Sequence, residues 1–410
     1  MGILKNYGST LLLLLGLVAG GVLGAVWSGC VPYLRPVGEI FLNLIFVLVV
    51  PLVFFSVAQS MVAMRRSGVI GKVLGVSLGV FLVMSLIAGI LAYCMMCVWN
   101  PFSGFAGIGG TDGGLLSEGV DVGDAVVAAF TVNDFPLLLS REHLLPLIIF
   151  SALFGLAVAL LGQAASTVER FVSEGAAVIM KMMELVMKLA PIGLGCYFAD
   201  MINKLGGKIV GDYLGVFLVV CAATAVCYLV FNSLYALFCR VPLGQFWKEM
   251  IKPSATAVGT CSSAACMPVS MAAARQLGVS DKIVDGVIPL GTNLHKDGSV
   301  VTSVAKVLFA LYFFGASGGS GVAGGGLGIA SGGFGIAALV ILLAVLESIV
   351  VGAIPVGGMT GEILICAVLG LDPSFAATLL IIGTICDIPA TLLNVSDNLV
   401  APLLVQRLTR

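Results

Sequence analysis

Charged residues are scarce in this chain. Asp, Glu, Lys and Arg make up 10% of its 410 residues, whereas 60% are hydrophobic. A soluble globular domain is roughly a quarter charged, so this composition excludes an ordinary water-soluble domain and predicts that lipid surrounds much of the chain. The formal net charge is −1, which excludes the broad positive field of a protein that binds nucleic acid or an anionic membrane surface.

Motifs for metal centres are scarce as well. The chain has 2 histidines and 11 cysteines, and the cysteines lie mostly inside apolar runs without a repeating ligand spacing. Cys94 and Cys97 form a C-x-x-C pair, but no second pair accompanies it. Cysteine in apolar surroundings behaves as a small hydrophobic residue, so we predict no cofactor.

Long apolar runs are what the sequence has in abundance. The first follows Lys5 and covers Leu11 to Val26, a pattern shared with a cleaved signal peptide. Because many more hydrophobic segments follow, we interpret it as a first transmembrane span. Runs of about 20 residues predict spanning helices, and about eight such spans are predicted, near residues 9–27, 40–63, 71–98, 144–162, 176–200, 209–239, 282–313 and 374–406.

Two further apolar segments, near 251–274 and 336–369, are interrupted in the middle by Gly, Ser and Pro. An interrupted helix in lipid exposes backbone groups, which is tolerated only beside protein or a wet cavity. Two such interruptions in corresponding positions point to the binding site of a secondary transporter. We therefore predict an all-α multi-pass membrane protein with two re-entrant helical hairpins.

The distribution of charge predicts how the chain crosses the membrane. Lys and Arg cluster near residues 65–72, 240–252 and 407–410, whereas the segment 101–139 is acidic. The positive-inside rule then places both termini and the first hairpin in the cytoplasm, and the acidic segment and second hairpin outside; Lys204 and Lys208 do not follow it. Hairpins from opposite sides form an inverted repeat. The glycine-rich segment 315–335 is either a hinge or a loose external loop.

Charged residues inside the last hydrophobic segments are the candidates for function. Each costs about 2.5–3.5 kcal/mol to insert, so such groups face a cavity or one another. Asp297 and Asp387 lie next to Gly298 and close to Pro389, residues that interrupt helices, and we predict that they belong to a site. Three further charged residues in these segments are Lys306, Glu347 and Glu362. For them, a site role and simple pairing of an acid with a lysine are equally open alternatives.

Several uncharged groups complete a predicted substrate site. Ser262 and Ser263 lie at the tip of the first hairpin, where they could hold an anionic group as a helix N-terminus does or simply allow close packing. Asp387, Thr391 and Asn394 are spaced along one helix face. Asp387 can bind an ammonium group and Asn394 can bind a carboxylate, which suits an amino acid zwitterion. In the second hairpin, exposed backbone groups are predicted at Gly357 and Gly358.

These residues resemble a known family, the dicarboxylate/amino acid:cation symporters, or glutamate transporter homologues. The similarity covers nearly the whole chain, and its specificity comes from the order and spacing of the motifs. They are VPLVFFS at 50–56, LAPIG at 189–193, MPV at 267–269, PLG at 289–291, HKDGS at 295–299, Ile354-Pro355 and DIPATLLNVSDN at 387–398. The family typically reads NMDGT in place of HKDGS.

The resemblance implies a homotrimer in a bacterial-type inner (plasma) membrane that imports an amino acid or dicarboxylate with Na⁺ or H⁺. It implies a static scaffold and trimerisation domain, residues 1–66 and 140–206. It also implies a transport domain, residues 67–100 and 207–410, that moves as an elevator, with 101–139 as an acidic external loop. By position, the implied substrate-binding residues are Ser262, Ser263, Gly357, Gly358, Asp387, Ala390, Thr391 and Asn394. The implied cation-binding residues are His295, Lys296, Asp297, Asn394 and Asn398.

This chain departs from the family pattern at informative positions. Ala390 stands where acidic-substrate members have an arginine, and the corresponding hairpin position is Cys261. An unpaired carboxylate in a desolvated site is costly, so a neutral amino acid is expected unless Lys296 supplies the missing cation. The Lys296 ammonium could also replace one bound sodium ion, or His295 could titrate and support proton coupling.

Two other protein classes were weighed against a symporter. A channel would show rings of pore-lining residues or a selectivity filter, whereas this chain has one asymmetric polar cluster. A membrane-embedded enzyme could use Cys261, His295 and Asp297, but their spacing matches no recognised catalytic arrangement. The symporter is therefore the favoured interpretation.

Overall fold

A computed structural model describes residues 2–66, 72–102, 131–140, 143–205, 208–315, 333–352 and 360–409. Over these ranges the chain is almost entirely helical and contains no strand, which confirms the predicted all-α class. The helices are α1 Gly2–Val26, α2 Val31–Arg66, α3 Lys72–Trp99, α4 Leu144–Leu161, α5 Ser166–Met187, α6 Ala190–Leu205, α7 Lys208–Val226, α8 Asn232–Phe238, α9 Leu243–Thr260, α10 Ser263–Gln276, α11 Asp281–Leu294, α12 Asp297–Gly315, α13 Gly333–Gly352, α14 Thr360–Val368, α15 Ala376–Ile385 and α16 Asp387–Thr409.

Membrane-spanning stretches occur along the whole chain. Within the described ranges, five helical stretches are long and apolar enough to cross a membrane. They are Ser28–Gln59, Lys72–Trp99, Pro146–Met182, Tyr213–Phe238 and Asp387–Thr409. Shorter apolar helices lie among them, so the multi-pass architecture is confirmed although several predicted spans are built from more than one helix.

Three predicted spans are interrupted, contrary to the expectation of continuous helices. The span 176–200 breaks between α5 and α6, 282–313 between α11 and α12, and 374–406 between α15 and α16. Pro191 and Pro389 lie in the first turn of α6 and α16 respectively, where proline is favoured because its missing N–H needs no partner. Hydrophobicity alone does not reveal such breaks, since the residues on both sides remain apolar.

The first hairpin is confirmed and consists of α9 and α10. Its tip is Cys261, whose left-handed backbone (φ 48°) ends α9, followed by Ser262 in an extended conformation. Ser262 caps α10, because its hydroxyl accepts a hydrogen bond of 3.3 Å from the Ala265 N–H. Both arms pack on α16, where Ala257 and Cys266 meet Val395. Helix α9 begins at Leu243, earlier than predicted.

Helices α13 and α14 pack together as the arms of the predicted second hairpin. The turn between them, with Gly357 and Gly358, lies outside the described residues. The same holds for most of the acidic segment (residues 103–130) and most of the glycine-rich segment (residues 316–332).

The N-terminal helix α1 packs against α6 at backbone contact. A Cβ atom added at Gly16, Gly20 or Gly24 would lie only 2.1, 1.9 or 2.3 Å from a carbonyl oxygen of α6. Small residues at intervals of four allow such close helix approach in membranes. Helix α2 packs against α4, α5 and α6, so these five helices form one packed group.

A second group of helices surrounds α16. Helices α3, α9, α10, α11 and α12 all pack against it. From Pro389 to Val405 every residue of α16 except Leu392 is buried. The polar side chains of α16 are therefore enclosed by protein rather than by lipid, as intramembrane polar residues require.

Candidate substrate and cation site

The break before α12 brings that helix to backbone contact with α16. A Cβ atom at Gly298 would lie 2.0 Å from the Ala390 carbonyl oxygen, so only glycine permits this approach. Asn394 binds the backbone N–H groups at the start of α12 that have no partner within the helix. Its Oδ1 accepts hydrogen bonds from the backbone N–H of Gly298 (2.9 Å) and Ser299 (3.2 Å). Its Nδ2 faces the Ser299 hydroxyl oxygen at 3.3 Å. Asn394, a residue of α16, thus caps the N-terminus of α12.

Asp297 is the centre of a buried polar cluster and is 1% exposed. The Ser85 hydroxyl donates a hydrogen bond of 2.5 Å to its Oδ1, and His295 Nε2 lies 3.0 Å from its Oδ2. The His295 ring is stacked on Phe81, with centroids 4.7 Å apart. Asp397 lies beside Asp297. Two neighbouring buried carboxylates repel each other unless a proton or cation is present, so this cluster suits a coupling ion.

Asn398 lies farther along α16 and has an unused acceptor. Its Nδ2 donates to the Ile288 carbonyl oxygen (3.1 Å) and to the Thr292 hydroxyl (2.8 Å), both on α11. Its Oδ1 is buried without a hydrogen-bond partner and lies 2.0 Å from where a Cβ of Gly291 would be. An amide oxygen of this kind is a suitable ligand for a hard cation such as Na⁺.

Asp387 begins α16 near the tip of the first hairpin. The Thr391 hydroxyl donates to its Oδ1 at 3.4 Å, and it interacts electrostatically with Cys261 of the tip and with Lys296. Lys296 is partly buried, and no ion pair of its ammonium is found in the part of the chain that the structure describes. Lys296, just before α12, thus interacts electrostatically with Asp387 at the start of α16, which in turn interacts with the hairpin tip.

The predicted site residues thus fall into two groups. Lys296, Asp387 and Thr391 lie with the hairpin tip, where Ser262 and Ser263 begin α10. The second group surrounds the capped start of α12 and continues along α16; it contains His295, Asp297, Asn394 and Asn398. Ala390 is buried at the contact between α12 and α16.

Sequence reasoning did not find Ser85, Phe81 or Thr292. Ser85 and Phe81 lie on α3, more than 200 positions from Asp297, in an apolar run with no break or charge. Asp397 is not among the residues that the sequence predicts for the site either. A serine or phenylalanine in a transmembrane helix is ordinary, and no local pattern marks these residues as partners of a distant acid.

Broken helices that bring buried polar side chains together inside a multi-pass helical protein define a secondary transporter. A model of the sodium:dicarboxylate symporter family matches residues 10–408. The chain belongs to this family, as the motif resemblance predicts, and it is a secondary symporter.

Named relatives are similar over most of the chain. A C4-dicarboxylate transport protein of Rhizobium johnstonii is 27% identical, over 96% of this chain and 87% of that protein. A proton/sodium-glutamate symport protein of Bacillus subtilis is 26% identical, over 76% of this chain and 75% of that protein. The family and these relatives are transporters, which agrees with the expectation that the chain is not an enzyme.

Proposed function

We propose that this symporter imports a small neutral amino acid, and that Lys296 and Asp387 bind its carboxylate and ammonium groups. The proposal is carried by the position of one basic and one acidic side chain that interact electrostatically, Lys296 before α12 and Asp387 at the start of α16. Opposite charges in a partly desolvated site are complementary to a zwitterion. Thr391 and the hairpin serines add hydrogen-bonding groups around it.

A dicarboxylate is the second candidate, and the names of the relatives favour it. A second substrate carboxylate would need a further cation. The family's arginine position is Ala390, and Lys296 already faces Asp387. By this count of charges, one carboxylate would remain without a partner, and an unpaired buried carboxylate is strongly unfavourable. The neutral amino acid therefore remains the first choice.

The coupling ion is Na⁺ or H⁺, bound at the second group of residues. The adjacent carboxylates of Asp297 and Asp397 and the unused oxygen of Asn398 support this assignment. His295 supports a proton, because its ring already contacts Asp297. When bound, the ion neutralises this cluster; the side chains Ser85 and His295 orient the Asp297 carboxylate toward it.

Transport follows an elevator mechanism in a homotrimer of the bacterial inner membrane, as the resemblance implies. The five-helix group of α1, α2 and α4–α6 corresponds to the scaffold, residues 1–66 and 140–206. The group around α16 corresponds to the transport domain, residues 67–100 and 207–410. The contacts of α2 with α4, α5 and α6, and those of α16 with α3 and α9–α12, support the division. The bacterial relatives support the location.

The test is uptake into proteoliposomes containing the purified protein, with radiolabelled L-alanine, L-serine, L-aspartate, L-glutamate and succinate. Each is measured under a Na⁺ gradient and, separately, under a proton gradient. We expect accumulation of L-alanine or L-serine under at least one gradient. Accumulation of succinate alone would replace the neutral amino acid by the dicarboxylate, and flux that neither saturates nor accumulates would contradict symport.

A further inference from the structure

A buried charge cluster joins the second hairpin to α12, away from the site described above. Lys306 of α12 lies between two acids: its Nζ is 3.0 Å from Glu347 Oε1 on α13 and 2.5 Å from Glu362 Oε1 on α14. The three side chains are 7%, 1% and 4% exposed. Pairing of these acids with a lysine is one of the two alternatives that the sequence leaves open. The structure shows this pairing.

The two acids of the cluster are not equivalent. Both carboxylate oxygens of Glu347 have a polar partner: Lys306 donates to one, and the other lies against the Ser303 hydroxyl, which also contacts the Ser299 carbonyl oxygen at 2.7 Å. Glu362 has only the contact of its Oε1 with Lys306, and its Oε2 is buried without a hydrogen-bond partner. Gly383 packs closely over Lys306 and Glu362, with a Cβ position 3.3 Å from each. Glu347 thus has a polar partner at each carboxylate oxygen, whereas Glu362 has a partner at only one.

The cluster contains two acids but only one base. With Lys306 and both acids ionised, its net charge is negative, and an unpaired buried charge is removed by taking up a proton rather than tolerated. The other ionisable groups nearby do not supply a cation. Asp387 of α16 interacts with Lys306, and the thiols Cys366 and Cys386 face Glu362 and Lys306.

We propose that Glu362 is a proton-binding site of the transport cycle, which rests on the proposed symport. While α14 packs against α12, the Glu362 carboxylate holds one proton taken from water on the side where the substrate enters, and the cluster is neutral. When the hairpin arm moves away and water reaches the cluster, the proton leaves to the water on the other side. One proton then crosses with each substrate, and no electron or covalent bond is exchanged.

The experiment measures accumulation of radiolabelled L-alanine and of succinate in Na⁺-free proteoliposomes with the membrane potential clamped at zero. For one coupled proton, an inward gradient of about one pH unit raises the accumulation ratio about tenfold. We expect this rise for the natural protein and for Glu39→Gln, a control that removes an exposed carboxylate paired with Arg35. Glu362→Gln mimics the protonated acid, so its accumulation ratio should not respond to the pH gradient.

A double variant separates the charge count from loss of structure. Glu362→Gln with Lys306→Met leaves Glu347 as the only charge of the cluster, which again requires a proton, so the response to the pH gradient should return. If Glu362→Gln is not recovered in the membrane, Glu347→Gln, which also brings the cluster to zero net charge, replaces it in the same comparison.

Exchange of labelled for unlabelled substrate distinguishes the two levels of failure. Exchange is measured with Na⁺ on both sides of the membrane, and its absence in the natural protein would contradict the proposed function itself. Exchange without any pH-driven accumulation, or a Glu362→Gln variant that responds to pH like the natural protein, would overturn only the assignment of Glu362. The double variant could also exchange substrate without regaining the response to pH. This result would show that the net charge of the cluster does not determine proton binding, and it would overturn the assignment of Glu362 as well.

Discussion

At the scale of single residues, the acids of α16 differ in surroundings despite their shared helix. Asp387 lies at the helix start, partly exposed, with Thr391 and Lys296 near it. Asp397 is buried ten positions later beside Asp297. We propose that the first contacts the substrate and that the second shares a small cation or a proton. Position along the helix, rather than residue type, therefore separates their proposed roles.

Replacing Asp387 tests the substrate contact. In Asp387→Asn the side chain keeps its shape but loses the charge that binds an ammonium group. A hydrogen bond to a charged group contributes about 1.5–3 kcal/mol, so the apparent affinity for the substrate should fall about 10- to 100-fold. Uptake into proteoliposomes measures this. Asp281→Asn, at a surface carboxylate that is 80% exposed, is the matched control, and equal loss in both variants would contradict the assignment.

Introducing a cation at Ala390 tests the specificity argument. Ala390→Arg adds a guanidinium group one helical turn from Asp387, where a second substrate carboxylate would need a partner. The uptake ratio of L-aspartate to L-alanine should rise about tenfold or more, equivalent to about 1.4 kcal/mol. Ala390→Met has similar bulk without charge and should not change the ratio toward the acid. An unchanged substrate ranking in Ala390→Arg would contradict the proposed geometry.

At the scale of helices, the proposed sites lie at the interruptions. Each break frees backbone groups that must be satisfied inside the protein. At the start of α12, Asn394 does this from the neighbouring helix. At the first hairpin, Ser262 does it locally. The backbone groups at the start of α12 are therefore capped by a residue distant in sequence, whereas those at the hairpin tip are capped by a neighbouring residue. This difference explains why, of these two breaks, only the hairpin tip could be located from the sequence.

Gly298 tests the contact between α12 and α16. In Gly298→Ala the new Cβ would lie 2.0 Å from the Ala390 carbonyl oxygen, so the helices must separate and the Asn394 cap must lengthen. Overpacking of this kind costs about 1–3 kcal/mol, and the thermal midpoint in detergent should fall. Gly79→Ala, on α3 where no atom lies within 4 Å, should leave the midpoint unchanged or raise it. Equal midpoints for both variants would show that the contact is not tight.

At the scale of the whole molecule, an apolar core and polar contacts join the two groups of helices. One is the Tyr197 hydroxyl of α6, which lies 3.2 Å from the Thr378 hydroxyl and donates to the Ser374 carbonyl oxygen at 3.3 Å. If α6 belongs to a fixed scaffold and α15 to a moving transport domain, this contact must break in each transport cycle.

Cross-linking tests whether the two groups move. In a variant without native cysteines, Tyr197→Cys with Thr378→Cys is joined by a short bifunctional maleimide, and uptake should stop because the two groups are locked. The control pair is Tyr228→Cys with Ser254→Cys, whose hydroxyls lie 2.7 Å apart and which both belong to the proposed transport domain. Cross-linking that pair should leave most uptake intact. Continued uptake with Tyr197 and Thr378 joined would contradict the elevator.

The sequence by itself determined the membrane solvent, the all-α class, the first hairpin and the family, because composition, apolar run length and local Gly, Ser and Pro residues are properties of neighbouring positions. It also selected Asp297 and Asp387, since a charge in an apolar run is expensive wherever it lies.

Only the tertiary structure decided which of these groups meet. Ser85 reaches Asp297, Asn394 caps α12, and Lys306 joins Glu347 to Glu362 across residues far apart in the chain. The physical reason is that a buried polar group is satisfied by whichever side chain packing brings within hydrogen-bond distance, and that distance is set by the packing of whole helices rather than by the local sequence.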